Sequence, residues 1–272
     1  MFTHQHQIHS LSQQIYELDQ VCRKDFKNNF IVSERDYISI FLNFIRYPYG
    51  PFSNHCFAHS QTLPGSVEQK YGCDGIIIFK RDNRYKIGVF EAKVIKKRWD
   101  SLTGKAPGIS RFQNQINKQA GLNPGIAVWE MFLNKDTSKA QFDTLGSTCV
   151  KKDIASAYKK TTPLWTYKDL EDLALKSCTF NNQVVNIESI IREILTCTFG
   201  DVFEYNAQGI ELYSDAVAQE IKIPLIGGEL SPEDPHKIKS FLQESNFYSY
   251  THIDLNQCQA VERQIAISEV IE

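Results

Sequence analysis

Apolar residues along the chain change their period several times, and each change predicts an element. Tyr37, Ile38, Phe41, Leu42, Phe44 and Ile45 recur at helical spacing behind Ser33-Glu34-Arg35-Asp36, a helix start with Ser33 as N-cap and an acid three residues later. Pro48 stops that run. A first strand is predicted near Asn54 to Gln61. Two apolar runs, Ile76 to Phe79 and Lys86 to Phe90, flank Arg81-Asp82-Asn83-Arg84. Asp and Asn tolerate left-handed backbone there, so the runs form an antiparallel hairpin. Ser110 caps a second helix reaching about Ala120 and ended by Gly121, and Gly125 to Leu133 reads as a further core strand. Beyond residue 150 the pattern predicts helices over Thr166–Lys176 and Ile187–Thr196 and short strands over Gly209–Tyr213 and Ile221–Ile226. Ser231-Pro232-Glu233-Asp234 opens a last helix leading into Lys237–Glu244.

The hairpin carries the most informative chemistry. With its turn centred between Asp82 and Asn83, paired residue numbers sum to 165, which sets Asp74 opposite Glu91. Side chains alternate along a strand, so Glu91 and Lys93 share a face with Ile87 and Val89, and Asp74 shares it with Ile76 and Ile78. One apolar face then ends in two acids and a lysine. Directly opposed like charges, at about 4.5–5.5 Å between Cβ atoms, repel unless something positive intervenes. A divalent cation and Lys93 would supply it. The bland reading, three solvated charges at a strand end, is the better one for any single residue but not for the joint arrangement.

Asp74 followed by Glu91-Ala92-Lys93 resembles the motif of the PD-(D/E)xK nuclease superfamily, the restriction-endonuclease-like fold, with Cys73 where the usual proline stands. The resemblance covers about residues 30–135 and implies an α/β fold: a mixed central sheet flanked by helices in the order αβββαβ, with a C-terminal α+β extension. It implies magnesium-dependent hydrolysis of nucleic-acid phosphodiesters, most often in DNA, by an endonuclease; manganese can replace magnesium. Asp74, Glu91 and the backbone carbonyl of Ala92 would hold the ion, which prefers oxygen ligands in near-octahedral geometry and retains several waters. Such an ion polarises a phosphoryl oxygen and acidifies a bound water, and Lys93 would position the nucleophile or offset developing charge. Glu34 falls on the apolar side of its helix with Tyr37, Ile38, Phe41 and Ile45, and matches the first-helix glutamate many members use as an extra ligand. The preference of acids for helix N-termini would explain it equally well. Glu68 is the rival candidate.

Lys96, Lys97, Arg98, Lys105, Arg111 and Lys118 make the segment after Lys93 strongly basic. Clustered cations beside carboxylates suit a polyanion, though a solvated loop explains the adjacent lysines nearly as well. Trp99 would stack on a base or cover the cleft edge. Gln115-x-x-x-Gln119 resembles the glutamine-bearing second helix of some nucleases of the superfamily, and with Arg111 these amides are assigned to substrate-backbone or supporting contacts. His4, His6 and His9 belong to a polar, frayed terminus, and His55 and His59 around Cys56 are read as structural.

Composition bounds the rest. The 272 residues, 42% of them hydrophobic, can bury a full core. They are divided as an N-terminal, partly helical extension (1–29), a nuclease core (30–150) and a C-terminal extension or small second domain (151–272), which extends the sheet, recognises substrate or mediates homodimer formation. A formal charge of −2 excludes a globally basic DNA-coating protein. Seven cysteines without any C-x-x-C argue for reduced thiols in a cytoplasmic setting. Neither a membrane-length apolar stretch nor a signal peptide is expected. No Gly-x-Ser-x-Gly, phosphate-cradling glycine loop or Cys/His nucleophile signature occurs. Two classes remain: an active metal-dependent nuclease, and a nuclease-fold module that binds nucleic acid or protein without turnover.

Overall fold

The computed structural model describes residues 5–46, 57–62, 72–82, 84–95, 98–103, 108–134, 142–160, 162–178, 184–204, 210–211, 222–223, 240 and 249–255. It is a mixed α/β architecture: one mixed open sheet with helices on both faces. Helices α1 (Gln5–Lys27) and α2 (Glu34–Arg46) come first, then strands β1 (Phe57–Thr62), β2 (Gly75–Arg81) and β3 (Arg84–Ile95). Helix α3 (Arg111–Gln119) leads into β4 (Ala127–Asn134) and β5 (Thr148–Lys151), followed by α4 (Lys152–Ala157), α5 (Tyr167–Ser177) and α6 (Ile187–Leu195). Four short strands complete the described chain: β6 (Phe203–Glu204), β7 (Ile210–Glu211), β8 (Lys222–Ile223) and β9 (Ser249–Asp254).

Sheet order is β1-β9-β2-β3-β4-β5, with β6 pairing to the start of β3 and β7-β8 forming a separate pair. The hairpin register is the one its turn dictates, from Arg81↔Arg84 to Gly75↔Phe90, and Asp82 takes the left-handed conformation (φ 54°). β3 pairs β4 in parallel, Glu91 beside Glu130, and β4 pairs β5 antiparallel. β9 lies parallel to β2 and antiparallel to β1, so the C-terminal part of the chain inserts between the first two strands of the expected core.

Alternation along the strands divides the core. Ile77, Phe79, Phe90, Ala92, Trp129, Met131 and Leu133 pack against α1, α2 and α6. Ile95, Phe132 and Val150 face the opposite way, onto Phe112 and Ile116 of α3 and onto α4 and α5. The sheet is therefore apolar on both faces, as a parallel-containing sheet covered on both sides must be.

Several expectations need correction. The N-terminus is no frayed tail: α1 buries Ile8, Leu11, Ile15, Leu18, Cys22 and Phe26 at helical spacing, and leaves His6 and His9 exposed. Tyr37 of α2 ties α1 down by donating to Asp19 Oδ1 at 2.5 Å, and Asp19 in turn accepts from Ser147 N and Oγ. The boundary expected at residue 150 falls inside the continuous passage from β5 to α4. Ser33, Ser110 and Thr166 do cap α2, α3 and α5, Thr166 with a full capping box to Asp169. Glu68, Lys96, Lys97, Lys105, His4, His55, Cys56, Pro48 and the helix start at Ser231–Asp234 lie outside the described residues.

A carboxylate cluster at the open end of the central hairpin

β2 begins at Gly75 whereas β3 continues to Ile95, so among the described residues the last residues of β3 have no strand on that side. A two-residue hairpin makes the even-numbered residues of β3 the ones whose N–H and C=O point toward β2. Ala92 and Val94 thus present unpaired donors at a buried sheet edge. Two acids satisfy them: Ala92 N donates to Asp74 Oδ2 at 2.8 Å, and Val94 N donates to Glu34 Oε2 at 2.8 Å. The carbonyl of Ala92 points to the same opening.

Asp74 reaches this position by leaving the ladder. Its own N–H donates to Phe90 O at 2.7 Å, outside the regular ladder that ends at Gly75↔Phe90, and its carboxylate reaches the N–H of Ala92. The cause is the turn before it. Gly72 takes φ +71°, and a Cβ there would lie 2.6 Å from the Gln115 carbonyl, so the loop passes against the backbone of α3. Glu34 arrives from the first turn of α2, on the other side of the sheet.

The three carboxylates converge. One oxygen from each of Glu34, Asp74 and Glu91 lies within 4.8 Å of the others, close enough to share one ion. Lys93 Nζ donates to Glu91 Oε1 and, at 3.4 Å, to Glu34 Oε1. Asp74 and Glu91 are buried, and Glu34 is partly exposed, so the cluster opens to solvent at its Glu34 end. Burial pushes the Glu91 carboxyl well above the usual carboxylate range; Asp74 and Glu34 push it further, and Lys93 opposes them. Those same acids outweigh burial at Lys93 and hold its ammonium well above its ordinary pKa. Oxygen-only donors with uncompensated negative charge fit a hard divalent cation. Cys73, in the position of the proline, is buried, and its thiol is pushed well up by burial and by Glu91, Glu130 and Asp74; it has no character of a nucleophile.

Gln115 Nε2 donates to Glu91 Oε1, so that amide is tied to the cluster. Gln119 is fully buried and donates to Gly72 O at 2.8 Å. Of the two roles expected for it, substrate contact or support, this contact is a supporting one: it fastens the loop that delivers Asp74. Trp99 is likewise no free stacking platform, because its ring packs edge-on against Phe112 and Phe132 at centroid distances of 5.1 and 6.4 Å. Arg98 and Arg111 are exposed, the latter beginning α3.

Sequence reasoning missed Glu130. It is fully buried beside Glu91, on the face turned to α3, and burial pushes its carboxyl up to about 8, Asp74 adding to the rise while Gln119 and Lys93 oppose it. An acid in the middle of the apolar run Ala127–Leu133 was the available signal.

The chain matches no known protein-family model, and no curated protein and no solved structure is significantly similar to it. Among the described residues, no helix is long and apolar enough to cross a membrane.

Proposed function

We propose that this chain is a metal-dependent nuclease of the restriction-endonuclease-like kind, an endonuclease acting on DNA. The observation that carries the reading is the convergence of Glu34, Asp74 and Glu91 within 4.8 Å with Lys93 bonded to two of them. A cluster of that composition costs stability in the absence of a cation, because buried like charges raise one another's proton affinity. Folding alone would favour apolar residues at such positions.

Magnesium, or manganese in its place, would be held by the three carboxylates and the Ala92 carbonyl, and when bound supplies Lewis-acid polarisation of a phosphoryl oxygen and a more acidic water. The chain's own residues do the rest. Asp74 is fixed by Ala92 N and Glu34 by Val94 N, so both carboxylates are oriented before anything binds. Lys93, positively charged at neutral pH, stands at the solvent side of Glu91, where it can orient the attacking oxygen and offset charge on the phosphorane-like transition state. The exposed Arg98 and Arg111, with the basic stretch at Lys96 and Lys97, would engage flanking phosphates.

The test is cleavage of supercoiled plasmid, single-stranded DNA and RNA with magnesium, with manganese and with chelator, for the wild type, Asp74→Ala and Lys93→Met. Divalent-dependent nicking lost in both variants supports the reading. Wild-type rates in Lys93→Met would remove the lysine from the mechanism. No cleavage of any substrate by the folded wild type would leave a nuclease fold retained for binding, and retarded migration of the same nucleic acids would then identify the ligand.

A further inference from the structure

On the β4 side of Glu91 lies a second group of oxygens that the nuclease reading does not use. Five buried side-chain oxygens there lack a close hydrogen-bond partner among the described residues: Glu91 Oε2, both oxygens of Glu130, Gln115 Oε1 and Gln119 Oε1, although the Gln119 amide stands near enough to Glu130 to oppose the rise in its proton affinity. The amide orientations are fixed by chemistry. Gln115 Nε2 must face Glu91 Oε1 and Gln119 Nε2 must face the Gly72 carbonyl, so both amide oxygens are turned away from those partners. Glu91 and Glu130 are register partners on adjacent parallel strands, roughly 4.8 Å apart, and project from one face toward α3. With both carboxyls ionised, acceptors meet acceptors. Buried polar atoms are almost always satisfied, and in that state two waters, donating four hydrogens, would leave one of these five oxygens dry; in the empty site, protons held on Glu91 and Glu130 by burial fill part of the gap. A cation that displaces those protons satisfies all five oxygens at once.

We propose that a second divalent cation, of calcium or manganese size, binds between α3 and strands β3 and β4, held by Glu130, Glu91 Oε2 and the amide oxygens of Gln115 and Gln119. Two carboxylates balance its charge. The amides complete a set of oxygens that a larger, less geometrically demanding ion than magnesium tolerates. Bound there, it would cross-link α3 to the sheet and fix Glu91, the ligand it shares with the Glu34 side of the cluster. This site does not depend on the chain being a nuclease.

Isothermal titration of the metal-stripped full chain with Mn²⁺ alone, and separately with Ca²⁺ alone, tests it. The wild type is expected to take up two Mn²⁺, Glu130→Gln one, and Asp74→Asn one. The Mn²⁺ remaining in Asp74→Asn should be lost in the double variant. Two Mn²⁺ that persist in Glu130→Gln, or a single wild-type Mn²⁺ that Glu130→Gln retains, overturns the proposal. Should Glu130→Gln fail to fold, Mn²⁺ anomalous scattering from wild-type crystals decides: a peak between Glu91 and Glu130 supports the site, and its absence beside a peak at Glu34 and Asp74 refutes it. A Glu130-dependent Mn²⁺ without an Asp74-dependent one would instead sink the nuclease reading and leave this site standing.

Discussion

Glu34 Oε2 accepts the backbone N–H of Val94 at 2.8 Å, joining the first turn of α2 to the unpaired edge of β3. The same carboxylate offers its other oxygen to Lys93. It therefore has a structural and an electrostatic task, which substitutions can separate. Glu34→Gln keeps an acceptor for Val94 and loses the charge. Glu34→Ala loses both and leaves an unsatisfied N–H, a cost of about 1–2 kcal/mol. The expected outcome is a near-wild-type melting temperature for Glu34→Gln with at least tenfold weaker Mn²⁺ binding, and a lower melting temperature for Glu34→Ala with equally weak binding. Equal Mn²⁺ affinity in Glu34→Gln and wild type would take Glu34 out of the ligand set.

Lys93 is the cation that keeps Glu91 ionisable. Burial, Asp74 and Glu34 all favour the protonated Glu91 carboxyl, and Lys93 opposes them. In Lys93→Met the proton is held more tightly, and an incoming metal ion has to displace it. Mn²⁺ affinity in that variant should fall more steeply with falling pH than the wild type's does. Parallel pH dependences would show that Lys93 does not set the protonation of Glu91.

How much of this was legible in the chain follows from how local each signal is. The hairpin register depends on four turn residues, Arg81 to Arg84, and it matches throughout. Caps at Ser33, Ser110 and Thr166 are equally local, each decided by one hydroxyl and the N–H three residues on. The insertion of β9 is not local. Ile76 pairs with Tyr250 through backbone groups that any sequence carries, so nothing near either strand announces the partner. Asp74 meets Glu91 as the hairpin register implies, but it does so from just beyond the ladder, which ends at Gly75, through a hydrogen bond to Ala92 N that alternation alone does not announce. The stripe from Ile8 to Phe26 was readable, but polar residues around it hid a core helix.

Glu130 makes the stability of the metal-free chain depend on pH. Its carboxyl ionises near 8 in the folded state against about 4.5 when unfolded, so the folded state binds more protons between those values. Stability is therefore greatest on the acid side of that window and declines as pH rises through it. Glu130→Gln removes the titration. In chelator it should melt about 5–10 °C above the wild type at pH 8, consistent with a few kcal/mol in a domain this size, and close to it at pH 5. A wild-type melting temperature that rises from pH 5 to pH 8, with no difference from Glu130→Gln at either pH, would mean the carboxyl is compensated in a way this geometry does not provide.

Gly72 and Gly108 offer a matched test of how Asp74 is delivered. Both have left-handed backbone, φ +71° and +78°, so an L side chain is strained at either by about 1–2 kcal/mol. Their surroundings differ. A Cβ at Gly108 meets nothing within 4 Å, whereas at Gly72 it would stand 2.6 Å from the Gln115 carbonyl oxygen and 2.9 Å from its Cα, neither of which can swing aside. Gly108→Ala should lose only the backbone term and bind Mn²⁺ as the wild type does. Gly72→Ala must also push the loop away from α3, stretching the Gln119 bond to Gly72 O and withdrawing the Asp74 carboxylate from Ala92 N. Its melting temperature should fall further, and its Mn²⁺ affinity should drop at least tenfold while Gly108→Ala keeps its own. If both variants lost the same stability and neither lost affinity, the packing of the loop on α3 would have no part in positioning Asp74.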